Sequence, residues 1–536
     1  MGQRELDLSC SAFGVNRDGS GRQHLGLHQK LLLLRGIVAL LFCGSLVGCF
    51  TPNGTISFND SSFVSQFTGP GALIPSFGNQ GTILSPQMML NFGSHGLAVD
   101  STGRMLVTGF IPGSASNTST FAISRFNPDG SVDTTFGPQG NGISTFQYLA
   151  SSDEKACAVV IDPADQSILV AGRTLAATGT QGDTIRSVVF EKLDPNGIVL
   201  TNSNFSPSNT GNTSQLVLST NTATQDNGDD DSCVAMVNLP LNLFNASNGY
   251  VAAYSMPLIG DPTTIEMVSV HLLPQSNSNS LPTTSPPTLT GTTNYVYDAQ
   301  LTPNCTQGNY QSGICAAVVL GAQPVSATTA LGNNSMVTWN IGVHAVSTTN
   351  TSINSYKINS VAGASDTPRA GTFDPSSGDL LVTGYSSIGS GNNSGHVYFL
   401  VRLLENAAWV TTTLDPLFGN LGYAYNPFNS QDSAGFAITL DPQNRILVGG
   451  AFTGNGTGLD QAVLRYQSNG FLDQSFGPYE GITTNEISSL DDAVTGIYYD
   501  TARDRILTVG FGGGNVNAQG GTADGGILSI SAYTPQ

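Results

Sequence analysis

Charged side chains are scarce in this chain: Asp, Glu, Lys and Arg make up 10% of its 536 residues. Long runs rich in Ala, Glu, Lys and Leu are also few. That argues against helices and for many short strands joined by turns. Basic residues are the rarer sign, 18 against 37 acidic, for a net charge of −19. Residues 1–48 hold Arg4, Arg17, Arg22, Lys30 and Arg35 against Glu5, Asp7 and Asp18, so the remainder carries 13 basic and 34 acidic side chains. Such a surface repels phosphate backbones and anionic lipid, and no nucleic-acid partner is expected. Cationic ligands or divalent metals suit it better, and acidity also keeps an exported protein soluble.

The signatures of common catalytic sites are missing too. There is no Cys-x-x-Cys for zinc, no Gly-x-Ser-x-Gly elbow, no P-loop and no dinucleotide fingerprint. His95, His271, His344 and His396 are scattered and form no helical metal-ligand pair. The hydrophobic fraction, 39%, is nevertheless enough for a packed core.

Long apolar runs are confined to one place. Residues 30–49 read KLLLLRGIVALLFCGSLVGC, a basic flank, an apolar stretch and small residues, which is the layout of a secretory signal peptide. The apolar core after Arg35 is too short to span a bilayer comfortably. Leu46-Val47-Gly48-Cys49 resembles the bacterial lipobox, which implies cleavage before Cys49 and acylation of that residue. Several acyl chains anchor stably, at roughly 0.8 kcal/mol per buried methylene. The polar chain ahead of Lys30 is longer than signal peptides carry. Residues 1–48 are therefore read as leader and 49–71 as a lipid-anchored flexible tether. Phe50 stands where Asp would signal inner-membrane retention, so an outer-membrane lipoprotein facing the periplasm or the cell surface is expected.

What the chain has in abundance is a repeat. Residues 124–137 read SRFNPDGSVDTTFG, and residues 464–477 read LRYQSNGFLDQSFG, with one spacing of basic residue, aromatic, turn, Asp and Phe-Gly. Asn127-Pro128-Asp129-Gly130 is turn chemistry: Pro presets φ, Asp bonds its own backbone and Gly accepts positive φ. A hairpin precedes each copy, at 96–110, 156–172, 370–384, 435–450 and 496–510. Third strands follow at 121–126, 188–193, 397–403, 462–466 and 527–533, and fourth elements carry Phe136-Gly137, Phe418-Gly419 and Phe476-Gly477.

The glycine ending each second strand serves as a ruler. Gly109, Gly172, Gly384, Gly450 and Gly510 are spaced so that two diverged units fall in the longest gap, with second strands at 250–254 and 315–321. Four strands per unit at this period predict an all-β, seven-bladed β-propeller over 72–536, divergent at about 206–365. The last unit lacks its Phe-Gly element, while ALIPSFG stands at 72–78. An N-terminal strand completing the last blade would close the ring and remove two sheet edges. The repeat resembles the delta-60 family of bacterial exported proteins, carried by residues 125–133, 168–172 and 472–477. That resemblance implies a propeller-like fold and export, and supplies no catalytic residue.

An acidic residue recurs near the start of most units: Asp153 with Glu154, Asp231, Asp298, Asp366, Asp432, and Asp491 with Asp492. Innermost first strands, by resemblance to known propellers, would gather these carboxylates at one mouth of a channel, a possible Ca²⁺ site. The competing reading is that each Asp caps its own loop. Asp226-Asn227-Gly228-Asp229-Asp230-Asp231 lacks EF-hand spacing and reads as a solvated loop. Four cysteines remain after the leader and Cys49. Cys305 and Cys315 close a short loop and are the preferred disulfide, and Cys157 and Cys233 are expected as buried thiols.

The functional expectation is a monomeric, lipid-anchored binding or scaffolding module of the bacterial envelope with a protein or glycan ligand. The alternative is a glycan hydrolase or lyase with acids gathered at a propeller mouth. A structural envelope component is a third reading, and fold class does not choose among them.

Overall fold

The computed structural model describes residues 67–536 with interruptions, the longest at 201–214, 226–234, 273–294, 302–316, 326–337 and 515–525. Among the described residues the secondary structure is strand throughout, arranged in six antiparallel sheets. The chain opens with β1 (Thr82–Met89), then a meander of β2 (Leu97–Val99), β3 (Met105–Pro112), β4 (Ser119–Phe126) and β5 (Ile143–Phe146). The next sheet holds β6 (Asp153–Ile161), β7 (Ile168–Ala177) and β8 (Asp183–Leu193), with β9 (Gln215–Ser219) and β10 (Thr224–Gln225) both paired to β8. A three-stranded sheet follows: β11 (Ala235–Phe244), β12 (Ser247–Leu258) and β13 (Asp261–Leu272).

Three four-stranded meanders come next. They are β14 (Tyr295–Leu301), β15 (Ala317–Val325), β16 (Thr338–Val346) and β17 (Thr351–Tyr356); then β18 (Ser365–Phe373), β19 (Leu380–Ile388), β20 (Gly395–Leu404) and β21 (Thr413–Leu414); then β22 (Ser433–Leu440), β23 (Ile446–Thr453), β24 (Leu459–Tyr466) and β25 (Ile482–Asn485). The last group is β26 (Asp491–Asp500), β27 (Arg505–Gly514) and β28 (Ile527–Tyr533). β1 pairs with β28, Thr82 opposite Ser531, and touches β3 through Met89 opposite Phe110. The first and last groups thus share one eight-stranded sheet.

The strands read as apolar runs because sheets cover them on both sides. Six consecutive residues of β3, Met105 to Phe110, are buried. One cluster joins Phe121 and Phe136 to Val159 and Val170 of the next sheet. Another joins Val463 and Phe476 to Ile506 and Tyr533. The largest sets Met105 and Val107 against Leu507, Val509 and Ile530. The core is therefore a series of interfaces between neighbouring groups of strands, as in a propeller.

The ruler glycines have a physical reason. Gly172, Gly384, Gly450 and Gly510 each lie opposite a register shift in the first strand of their sheet. A Cβ at Gly450 would sit 2.0 Å from the carbonyl oxygen of Ala434, and one at Gly510 2.0 Å from that of Ala493. The bulge pushes backbone against backbone where only glycine fits.

The 14-residue repeat builds the joint between groups. Arg125 of β4 is buried, and its Nε donates to Asp133 Oδ2 at 2.7 Å. Its guanidinium stacks 4.6 Å from the Phe136 centroid and donates to the carbonyl of Pro195, in the turn of the following sheet. The Gly137 N–H donates to Asn196 O in that same turn at 2.8 Å. The arrangement returns twice more. Arg402 lies over Phe418 and donates to Ser468 O, with Gly419 N–H on Asn469 O. Arg465 bonds Asp473, lies 4.5 Å over Phe476 and donates to Pro535 O, with Gly477 N–H on Pro70 O.

That third joint shows how the two ends of the fold meet. Thr534 and Pro535 occupy the places of Asn127 and Pro128, while Pro70 and Gly71 occupy those of Asp129 and Gly130. Gly71 N–H donates to Thr534 O at 2.7 Å, as Gly130 N–H donates to Asn127 O at 2.9 Å. The bridge from Leu73 to Tyr533 matches the bridge from Val132 to Phe126. Gly71 at φ 87° matches Gly130 at φ 89°. Residues 72–78 were expected to be the completing strand. They form this turn and the Phe-Gly element, and the ladder strand is β1, beginning at Thr82. ALIPSFG aligns with a segment that is itself non-strand in the other units.

Candidate functional site

Among the described residues the hairpin turns and the repeat turns share one face, termed the turn face. Arg104, beside the hairpin turn at Asp100, reaches Asp133 of the repeat turn at 3.6 Å. The opposite face, where the described third strands and first strands begin, is termed the loop face.

First strands surround a cavity of about 200 Å³. Leu97, Val159, Val237, Asp298, Ala370, Ile438 and Ile497 line it, one from each of β2, β6, β11, β14, β18, β22 and β26. Most of the lining side chains are small or apolar, with Asp298, Gln300 and Tyr498 the polar ones, and backbone groups also face the cavity. Asp298 Oδ2 accepts the Gly371 N–H at 2.9 Å, from the neighbouring β18, and the Gln300 amide at 3.3 Å. The carboxylate ties β14 to β18 across the wall.

The other recurring acids sit on the loop face, and three of them bind the third strand of the preceding sheet. Asp153 Oδ1 accepts the Ser119 hydroxyl at 2.6 Å, and Lys155 lies 3.2 Å from its other oxygen. Asp432 Oδ1 accepts the His396 backbone N–H at 2.8 Å and faces His396 Nδ1 at 3.0 Å. Asp491 Oδ1 accepts the Leu459 N–H at 3.0 Å. Asp366 is buried and accepts the Ser386 hydroxyl within its own sheet. The acids do not occupy one equivalent position: Asp298 is inside β14 and faces the cavity, whereas Asp153 and Asp491 begin their strands. Among the described residues no three of His, Cys, Asp and Glu are placed to hold a metal ion. Asp231, Cys49, Cys305 and Cys315 lie outside the described residues.

Two neighbours of those acids are buried completely, Glu154 and Asp492. Glu154 Oε1 accepts the N–H groups of Tyr148 and Leu149 and the Ser152 hydroxyl. Asp492 accepts Ile487 N–H, Ser488 N–H, the Ser488 hydroxyl and Gly513 N–H. Burial pushes both carboxyls above the usual range despite these bonds. Burial, with Glu486 and Asp492 nearby, also pushes Asp460 up to about 6.

One cysteine expectation is corrected. Cys157 is disulfide-bonded rather than a free thiol, and its partner lies outside the described residues. The joint-forming arginines were visible in the sequence as a basic residue at fixed spacing. Their role was not, because it depends on a turn some 65–70 residues further on.

The family model described as a domain of unknown function (DUF5122) beta-propeller matches residues 101–136 and 442–476. These segments carry a hairpin turn, third strand and repeat turn each. No curated protein matches. Similar solved structures include a chain of the mitotic checkpoint complex, at 10% identity over 88% of this chain and 97% of that one, with TM-score 0.40. Drosophila Semaphorin 2a is 8% identical over 88% and 77%, with TM-score 0.42. A Fusarium graminearum GH93 α-L-arabinofuranosidase in complex with arabinobiose is 10% identical over 84% and 97%, with TM-score 0.35.

Proposed function

We propose that this protein is an exported, lipid-anchored, seven-bladed β-propeller of the delta-60 type that acts as a binding or scaffolding module at a bacterial envelope. The observation that carries the reading is the repeated joint. One arginine, one Phe-Gly and one turn carbonyl connect neighbouring groups, and Asp153, Asp432 and Asp491 of the loop face also connect groups. The polar chemistry singled out in the sequence serves rigidity, which is what a scaffold needs.

Counting the two ends of the eight-stranded sheet as separate blades gives seven. The seven first strands around one cavity support that count. Pairing of β1 with β28, and of Pro70 and Gly71 with the turn at Thr534, supports closure of the ring by the N-terminal segment. The disulfide at Cys157 supports an oxidising compartment and hence export. Cys49 is the proposed acylation site.

The test uses the full chain extracted with its acyl groups, passed over immobilised envelope polysaccharides while reducing ends are assayed. The reading expects saturable retention without new reducing ends. Release of reducing ends would replace it with the hydrolase reading, and an intact mass without acyl groups on Cys49 would remove the anchor.

A further inference from the structure

Five of the first strands carry the same irregularity. Opposite the glycine of the second strand the ladder skips one residue and then resumes. The residues at which it resumes are Ala158, Asp298, Ala370, Ala437 and Gly496. All five line the central cavity of about 200 Å³. The position asks for a small side chain, and four strands supply Ala or Gly. Asp298 is the exception. Residues that break a local rule obeyed by the rest of a fold are expected at functional sites.

The competing role is the tie to β18. Asp298 Oδ2 accepts Gly371 N–H at 2.9 Å, and Oδ1 accepts Ala299 N–H at 2.8 Å. The Gln300 amide donates to both oxygens, at 3.3 and 3.4 Å. These neutral donors fix the direction of the carboxylate. The tie itself is not a requirement of the fold, because β18 packs on β22 and β22 on β26 with Ala370, Ala437 and Gly496 at that place.

The rest of the wall says what the carboxylate would meet. Among the described lining residues Asp298 carries the one charge and Tyr498 the one aromatic ring. Leu97, Val159 and Ile438 add apolar surface. Each first strand is also the edge of its sheet: β6 pairs with β7, β18 with β19 and β22 with β23, and the other edge has no strand partner among the described residues. Backbone groups along such an edge take their hydrogen bonds from water or a ligand. A volume of this size holds on the order of a dozen waters. That is more room than one metal ion uses and less than a drug-sized ligand takes.

We propose that the central cavity binds a small primary amine, with its ammonium group on Asp298 and its skeleton against the apolar wall. An ammonium has three donors, one for the carboxylate and two for edge carbonyls. The acidic chain as a whole draws cations toward it. This rests on the binding-module reading and gives it a ligand class.

The test titrates the full chain calorimetrically with two amines and their neutral isosteres, glucosamine against glucose and pentylamine against pentanol. The expected result is saturable binding of at least one amine and none of its isostere. Binding of glucosamine alone assigns an amino sugar as the source, and of pentylamine alone an aliphatic amine. Asp298→Asn keeps an oxygen for Gly371 N–H but removes the charge, and should weaken that amine at least tenfold. Asp432→Asn, which removes one charge from the loop face, should leave it unchanged. Ala437→Val narrows the cavity and leaves Asp298 intact. It should weaken the amine too, and it decides the matter if circular dichroism shows that Asp298→Asn does not fold.

No binding of either amine, equal binding of an isostere, or unchanged binding by a folded Asp298→Asn chain overturns the proposal. Calcium chloride that binds saturably in the wild type and not in Asp298→Asn would assign the carboxylate to a metal and overturn it as well. Retention on polysaccharide without amine binding overturns this proposal alone. Amine binding without that retention upholds the site and removes the polysaccharide as ligand.

Discussion

Arg505, at the start of β27 in the last group, donates its guanidinium to the carbonyl of Pro128 in the turn of the first group. At the other joints that donor comes from the third strand, as with Arg125 and Arg465. In the last group the third-strand place is taken by Ala532, and the aspartate place by Ile74. Arg505 compensates from the second strand, held by Asp500 at 3.0 Å and lying 5.4 Å from the Phe77 centroid. Gly78 N–H completes the joint on Asp129 O at 2.9 Å. The joint is kept where the chain itself is interrupted.

Arg465→Ala should lower unfolding free energy by about 3 kcal/mol, the low end of the cost of breaking a buried pair, because Arg445 remains 3.5 Å from Asp473. Arg465 and Asp473 are nearly inaccessible, and Arg465 also holds Pro535 O. Replacing both ionic partners with apolar residues of similar volume should cost less. Urea unfolding of the three proteins checks this.

Gly470→Ala should destabilise by about 2 kcal/mol or more. Gly470 has φ 86°, where a β-carbon is unfavourable, and its Cβ would lie 2.9 Å from Gly419 N. Gly140→Ala should cost less, since at φ 63° its nearest neighbour is Thr134 O at 3.1 Å. Paired thermal melts compare them.

The hairpins and third strands were legible because their apolar alternation and turn residues are local. β4 and β24 contain the predicted strands 121–126 and 462–466, and β12 and β15 lie where the glycine ruler placed two diverged second strands. Residues 72–78 do not form a strand because the Phe-Gly element precedes the strand, β1, that pairs with β28. The acids were legible as a repeat, but their partners were not. Ser119, His396 and Leu459 lie roughly 30–36 residues before the acids they bind, and no local pattern announces that contact. Asp298 looked equivalent to Asp366 by spacing, yet a different strand register turns it to the cavity.

Stability should respond to pH through two opposing sets. Asp460 is pushed up to about 6, and Glu154 and Asp492 are also raised, so the folded chain holds these protons more tightly than the unfolded one. Their contribution is fully present below the unfolded carboxyl range and is lost as pH rises through the folded values. Asp133 and Asp473 are lowered: burial opposes the shift, but Thr135, Ser475 and the arginines outweigh it. Their contribution is present above the unfolded range and lost as pH falls through the folded values. Asp460→Asn should therefore raise Tm at pH 7–8 and leave it nearly unchanged near pH 3, which a melt series across pH reads directly.

Cys157 should resist alkylation in the native, unreduced chain. Reduction should lower unfolding free energy by about 2–5 kcal/mol, as for native disulfides generally. Alkylation mapping before and after reduction, followed by a melt, tests both statements.

The most direct test of the ring is a cross-link between its ends. Thr82 lies opposite Ser531, with the two hydroxyl oxygens 3.0 Å apart. In the double variant Thr82→Cys, Ser531→Cys, mild oxidation should link residues 82 and 531 in high yield, identified by peptide mapping, and should raise Tm. The register-shifted pair Thr82→Cys, Ile530→Cys should link poorly. Failure of the first pair to link while both thiols react freely with reagent, or equal linking by both pairs, would contradict a propeller closed by its N-terminal strand.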